Sequence, residues 1–290
     1  MSISVPALMG QLLIGLINGS FYALLSLGLA VIFGLLNIIN FTHGAQYMLG
    51  AFLAWFLLNQ LGLGYWWALP LVPLALAVFG VLIERLMLKH LYKLDHLYGL
   101  LLTFGLALIL EGLFTHRFGS AGMPYSIPEQ LTGGYNLGFM FLPIYRAWVI
   151  AASVVICLGT WFVIERTKLG SYLRAATENP SLVQAFGINV PRMIMLTYGF
   201  GVGLAGLAGV FAAPIYQVSP QMGSSLIIVV FAVVVIGGMG SIMGSIVTGF
   251  GLGVIEGLTK YFYPEASSTV IFVIMAIVLM VRPQGLFGQR

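Results

Sequence analysis

Two carboxylates set in apolar sequence, Glu111 in ILEGLF and Glu256 in VIEGLT, are the side chains of this 290-residue chain best suited to chemistry inside a membrane. A carboxylate in such a setting can relay protons or hold a substrate ammonium. The competing use is local pairing. Lys260 follows Glu256 at i+4, the favourable order for a helical ion pair, and His116 and Arg117 lie close to Glu111. Pairing at the membrane edge is therefore the expectation for both. The two strings match, but six residues are too few to establish an internal repeat. His43, after Asn40-Phe41-Thr42, either meets headgroups or carbonyls at a helix end or lines a solute path.

Other patterns carry less chemistry. Gly201, Gly203 and Gly206 spell GxGxxG inside an apolar run, where close helix packing explains them better than a dinucleotide site. No GxxxxGK[ST], HExxH or GxSxG string and no paired His/Cys spacing occurs. The expectation is a non-catalytic chain with no metal and no cofactor. Cys157 is the single cysteine, sits in an apolar segment and reads as a small buried hydrophobe.

The elements that must position these residues follow from composition. With 60% hydrophobic and 7% charged residues, against ~25% charged in ordinary soluble domains, the chain is an integral membrane protein. Sustained apolar blocks exclude a β-barrel, whose strands alternate. The start of the chain lacks a basic residue and a cleavage site and reads as a retained span. Candidate spans cover 8–36, 45–61, 66–83, 97–115, 147–164, 193–213, 226–236, 242–258 and 269–281, each a helix. The fold class is thus all-α and polytopic, a single transmembrane domain over 1–290 with about 8–10 transmembrane or re-entrant helices.

Two regions break the pattern. The first contains Asn18-Gly19-Ser20 and runs into Asn37, Asn40, Thr42, His43 and Gly44; the second is the short segment 226–236 followed by Gly237-Gly238-Met239-Gly240-Ser241. Each is either a plain turn or a re-entrant element, and irregular backbone at membrane depth is tolerated where it is buried in protein or lines a cavity. In transporters such discontinuities mark the solute route. Candidate path residues are Asn18, Ser20, Tyr22, Asn37, Asn40, Thr42 and His43, with Gly237, Gly238, Gly240 and Ser241 as backbone contributors.

Between two spans lies a polar island, 165–192, holding six of the twenty formally charged residues. It is punctuated as two short helices. One is led by Ser171 after Gly170; the other has Asn179 as cap, Pro180 at the first position and Gly187 as stop. Placing the island in the cytoplasm puts nine basic residues inside (Arg85, Lys89, Lys93, Arg166, Lys168, Arg174, Arg192, Arg282 and Arg290) and three outside (Arg117, Arg146 and Lys260), as the positive-inside rule requires. The N-terminus is then outside and the C-terminus cytoplasmic. The segment 116–146, rich in Pro and Gly among aromatics, is an external loop expected to fold as a compact loop or hairpin. The basic residues are spread over short loops, a topology signal and not a nucleic-acid footprint.

Four separated strings, over 15–52, 169–192, 234–257 and 281–288 (VRPQGLFG), resemble the permease subunits of branched-chain amino-acid ABC importers, the LivH type. The resemblance implies a bacterial inner-membrane permease that pairs with a second, homologous permease of the LivM type. It further implies two cytoplasmic ABC ATPases and a periplasmic solute-binding protein as partners. In that family the island is the coupling loop that docks on the ATPase, and Arg174, Ala175, Glu178, Asn179, Ala185, Gly187 and Ile188 match its pattern. Pro180 to Val183 depart from the alanine-rich stretch of the family. The implied function is ATP-driven import of branched-chain amino acids or related small amino acids and amides, this chain forming half of the path. Alternatives are a urea or amide permease of the same family, a passive small-solute channel, to which Asn179-Pro180-Ser181 bears a faint likeness, and a proton-coupled carrier resting on Glu111 and Glu256.

Overall fold

A computed structural model describes residues 4–36, 39–92, 94–138 and 140–288, with backbone alone at Leu35 and Leu36. Asn37, Lys93 and Arg290 lie outside the described residues. All nine apolar segments are helices, in chain order α1 (Val5–Leu36), α2 (Thr42–Leu61), α3 (Tyr65–Leu86), α4 (His96–Phe118), α5 (Ile144–Arg166), α8 (Val190–Ala212), α9 (Met222–Gly237), α10 (Ile242–Phe262) and α11 (Val270–Val281). The island supplies α6 (Lys168–Glu178) and α7 (Pro180–Ala185). Six of these, α1, α3, α4, α5, α8 and α10, are long and apolar enough to cross a membrane. α9 and α11, at 16 and 12 residues, rise only about 24 and 18 Å, short of a ~30 Å hydrocarbon core. Seven of the nine begin one to four residues earlier than apolarity alone marks them. In α9 the reason is local: the Ser225 hydroxyl donates to the carbonyl of Met222, so a polar residue continues the helix.

α1 is the hub, with Ala23, Leu24, Leu27, Ala30 and Ile32 fully buried. Its main neighbour is α10, and the seam is glycine on glycine: Gly15 and Gly19 meet Gly249, Gly253 and Gly257 backbone to backbone. Small residues let helices approach where lipid gives no hydrophobic drive. α8 is packed the same way on three sides. A Cβ on Gly201 would crowd Gly28 and Ile32 of α1, one on Gly203 would meet Pro73 of α3, and Gly206 abuts Gly50 of α2. The GxGxxG string is thus a packing device, as its apolar setting implied. Cys157 is buried on α5.

At one end, strands β1 (Gly134–Asn136) and β2 (Phe141–Pro143) form an antiparallel hairpin with Tyr135 opposite Leu142. This is the compact hairpin expected of the segment. A bridge between Met123 and Val218 ties the same loop to the α8–α9 connection. We call this the hairpin end; the opposite end carries α6 and α7.

Candidate functional site

The island folds as its punctuation reads, with one difference. Asn179 caps α7, its Oδ1 accepting from the Leu182 N–H at 3.0 Å, Pro180 is the first helical residue, and Gly187 ends the unit at φ +84°. Only glycine adopts that conformation without penalty. Gly170, expected before a helix led by Ser171, instead lies inside α6, which starts at Lys168. Thr167 is extended and α6 folds straight back on α5, so a Cβ on Gly170 would overlap the Ile164 carbonyl oxygen. The glycine serves a close approach there and not a turn.

Leu173, Ala176, Val183, Val190 and Met193 form a small separate core that clamps both island helices to the base of α8. The opposite faces are bare. Leu182 and Phe186 are 54% and 79% exposed, and Leu169 and Tyr172 are also exposed. Together these side chains make an exposed apolar patch with a polar rim. Ala175, Glu178, Asn179, Ala185 and Gly187 are exposed around them, and Ile188 is half-buried. Arg174 pairs with Glu165 at 3.2 Å, the ion pair found among the described residues.

A cavity of about 340 Å³ opens at this end. Glu165, Arg174 and Glu178 reach it from the island, Gly34 from α1, and Gly240 and Ser241 from the α9–α10 turn. Residues singled out for docking and residues singled out for the path therefore share one space. The turn itself is a sealed corner. Ser241 caps α10 through the Gly244 N–H at 3.1 Å, while Leu286 and Phe287 donate to the carbonyls of Ile236 and Gly237 at 2.8 and 3.1 Å. The VRPQGLFG string thereby satisfies the end of α9, next to Gly238 at φ +103°.

A second cavity, about 270 Å³, lies towards the hairpin end and takes Asn18 and Tyr22 together with Tyr216, Gln217, Ser219 and Ser225. Tyr216 donates to Asn18 Oδ1 at 3.1 Å. Tyr22 and Phe33, eleven residues apart, share a face of α1, so the two cavities lie along one side of that helix. Between them the helix is packed shut, Leu24, Leu25, Leu27 and Leu29 being 0–2% exposed.

Four further path candidates lie in this closed interior, away from both cavities. Ser20, Asn40, Thr42 and His43 are fully buried. His43 Nε2 lies 3.0 Å from the Leu25 carbonyl, eleven residues before the end of α1, so α2 begins about 16 Å back from that end. Asn40, shortly before α2, is enclosed by protein. The Thr103 hydroxyl of α4 donates to Ile39 O at 3.1 Å and accepts from Phe41 N–H at 3.2 Å, and Thr42 donates to Thr103 O at 2.7 Å. Asn40 donates to Gln46 at 3.2 Å. Thr103→Val strips the hydroxyl and leaves a part-buried amide and carbonyl unpaired. It is expected to destabilise the protein by about 1–3 kcal/mol in detergent denaturation, while Thr103→Ser stays near wild type.

Neither carboxylate pairs as expected. Glu256 Oε2 accepts from the Tyr22 hydroxyl at 2.7 Å, and Glu111 Oε1 from Ser224 at 3.3 Å; Lys260 is turned out and exposed. Hydroxyls on neighbouring helices lie within reach of both carboxylates, whereas the cation gains more from solvent. Sequence reasoning also missed Glu84, buried and accepting from Tyr92 at 2.7 Å, and the Tyr216–Ser219 polar stretch. Pro214 and Pro220 around that stretch were the available signal.

The family model for the branched-chain amino acid transport system permease component matches residues 11–279. The chain is 29% identical to the high-affinity branched-chain amino acid transport system permease protein BraD of Pseudomonas aeruginosa, across 96% of this chain and 95% of that one. It is 28% identical to LivH of Escherichia coli K12 over the same shares. A more distant likeness, 28% over 91% of this chain and 67% of the other, is to the permease protein LivM of Salmonella typhimurium. No solved structure matches.

Proposed function

From the premise that this chain belongs to the family of branched-chain amino-acid transport permease components, we propose that it is the membrane subunit of an ATP-driven importer. It carries branched-chain amino acids or related small solutes and forms half of the path with a second permease of the LivM kind. It catalyses no reaction itself. Hydrolysis belongs to two ATPases on the island side, and a binding protein delivers solute at the hairpin end. The island end is cytoplasmic, the N-terminus lies outside, and the membrane is a bacterial plasma membrane.

The observation that carries this reading is the shared cavity at the island end. α6 and α7 are clamped to α8 by their own core, present Leu182 and Phe186 outward, and bring Arg174 and Glu178 to the cavity that Gly240 and Ser241 also line. Movement imposed on Phe186 by a closing ATPase pair is passed as rigid-body motion to α8 and to the α9–α10 turn. Each state of the ATPases thus favours one opening of the path.

The test is reconstitution with the second permease, the ATPases and the binding protein, following solute uptake with ATP, with a proton gradient and with neither. Uptake is expected with ATP alone; uptake by this chain by itself without ATP overturns the reading. Within that assay, Gly187→Val, which costs about 1–2 kcal/mol for a Cβ at positive φ, and Glu178→Trp are expected to leave hydrolysis running while uptake falls. Wild-type ratios of uptake to hydrolysis in both variants would remove the island from the mechanism.

A further inference from the structure

A third cavity, also about 270 Å³, lies apart from the two along α1, in a crevice between α4 and α9. α4 is the least buried of the six long helices and packs mainly on α2, which leaves the space beside α9 open. The floor of the crevice is the seam where Gly44 of α2 meets Gly223 of α9 backbone to backbone, with Met48 and Ile227 buried beside it. Leu108 on one rim and Ile228 on the other are more than half exposed, so the crevice opens sideways, where lipid lies. Phe41, edge-on to Phe104 at 5.9 Å, closes the inner end. At the other end stands Glu111, seven residues and about 10 Å further along α4 than Phe104. Among the described residues it is the one charged group lining this apolar crevice, and it is in no ion pair. Its carboxylate accepts from Ser224 at 3.3 Å and has capacity for further donors.

We infer that this crevice is a binding site for a glycerophospholipid with an ammonium headgroup. The ammonium lies against Glu111, and one hydrocarbon chain runs inward between Leu108 and Ile228 towards Phe41. Depth fits this placement. α9 begins at Met222, so the Ser224–Glu111 contact lies level with its start, where Tyr216 and Gln217 of the preceding stretch are exposed. A helix rising only about 24 Å thins the bilayer beside it and brings headgroups down to the carboxylate. Charge selects the class. A carboxylate facing lipid is costly unless something pairs with it, and an anionic lipid would add repulsion.

The assembled transporter, stripped of lipid in detergent, is titrated with phosphatidylethanolamine, phosphatidylcholine and phosphatidylglycerol of identical chains, and native mass spectrometry reads the lipid retained. Wild type is expected to hold both ammonium lipids over phosphatidylglycerol, and phosphatidylethanolamine best, because its N–H groups also donate to the carboxylate. Glu111→Gln is expected to weaken phosphatidylethanolamine about 10-fold and to leave phosphatidylglycerol unchanged. Ala107→Phe fills the crevice from α4 and spares the carboxylate; it is expected to lower retention of phosphatidylethanolamine by a similar factor, and it serves if Glu111→Gln does not assemble. A benzophenone attached at Leu108→Cys, the native Cys157 being buried, is expected to capture lipid. Equal affinity of wild type for the three lipids, retention untouched in the variants, or capture of the second permease in place of lipid each overturns the site. The transport reading stands or falls apart from it, on uptake.

Discussion

Gly170→Val is expected to reach the membrane and fold, yet to leave an assembled transporter that hydrolyses ATP without moving solute. The first Cβ already overlaps the Ile164 carbonyl oxygen, a backbone atom that cannot swing aside. α6 must therefore lift from the end of α5, and Leu173 and Ala176 are drawn from the small core they share with Val183, Val190 and Met193. Overpacking of this kind costs about 1–3 kcal/mol, less than the typical total of ~5–15 kcal/mol, so the spans persist while the island moves. Arg174 and Glu178 then no longer face Gly240 and Ser241 across their cavity. The control is Gly159→Val in α5, where an added Cβ meets nothing within 4 Å. The measurement is the ratio of uptake to hydrolysis in proteoliposomes. A Gly170→Val ratio equal to that of Gly159→Val would show that the fold-back of α6 is irrelevant to coupling.

The second large effect separates two glycines of one helix. Gly253→Leu drives a side chain into the backbone of Gly15 and Gly19, whereas Gly251→Leu, two residues earlier, has open space. The first is expected to lower stability by about 3 kcal/mol or more, since α1 and α10 must separate along their longest seam. The second stays within about 0.5 kcal/mol. Thermal unfolding in one detergent, read for both variants side by side, decides it. Equal loss in both would mean that the seam does not govern stability.

Much of the fold was legible because it is local. Apolar runs mark helices by composition, and Asn179, Pro180 and Gly187 act on amides within three or four residues of themselves. What was not legible depends on distant partners. Glu256 was assigned to Lys260, four residues on, but its hydroxyl donor is Tyr22, 234 positions away; Glu111 was assigned to His116 and Arg117, but meets Ser224, 113 positions away. Gly170 was read as punctuation because a glycine before a serine is a common helix start, and nothing local reveals that α6 folds back on Ile164. Of the path candidates, Asn18 and Tyr22 reach a cavity because they face the α8–α9 connection. Asn40, Thr42 and His43 are polar for another reason: they satisfy backbone and neighbours where α2 starts inside the protein.

The near-complete burial of α1 has a consequence for how the molecule is made. The hub of the bundle is synthesised before the helices that enclose it, α8 and α10, which begin 185 and 237 residues after it does. In the interval its glycine face stands open in the bilayer, available to any helix with a small-residue stripe. Contacts this far apart in sequence close slowly. Assembly is therefore exposed to mispairing for most of translation, and a chain interrupted before Gly249 retains its central helix without the partner that matches it.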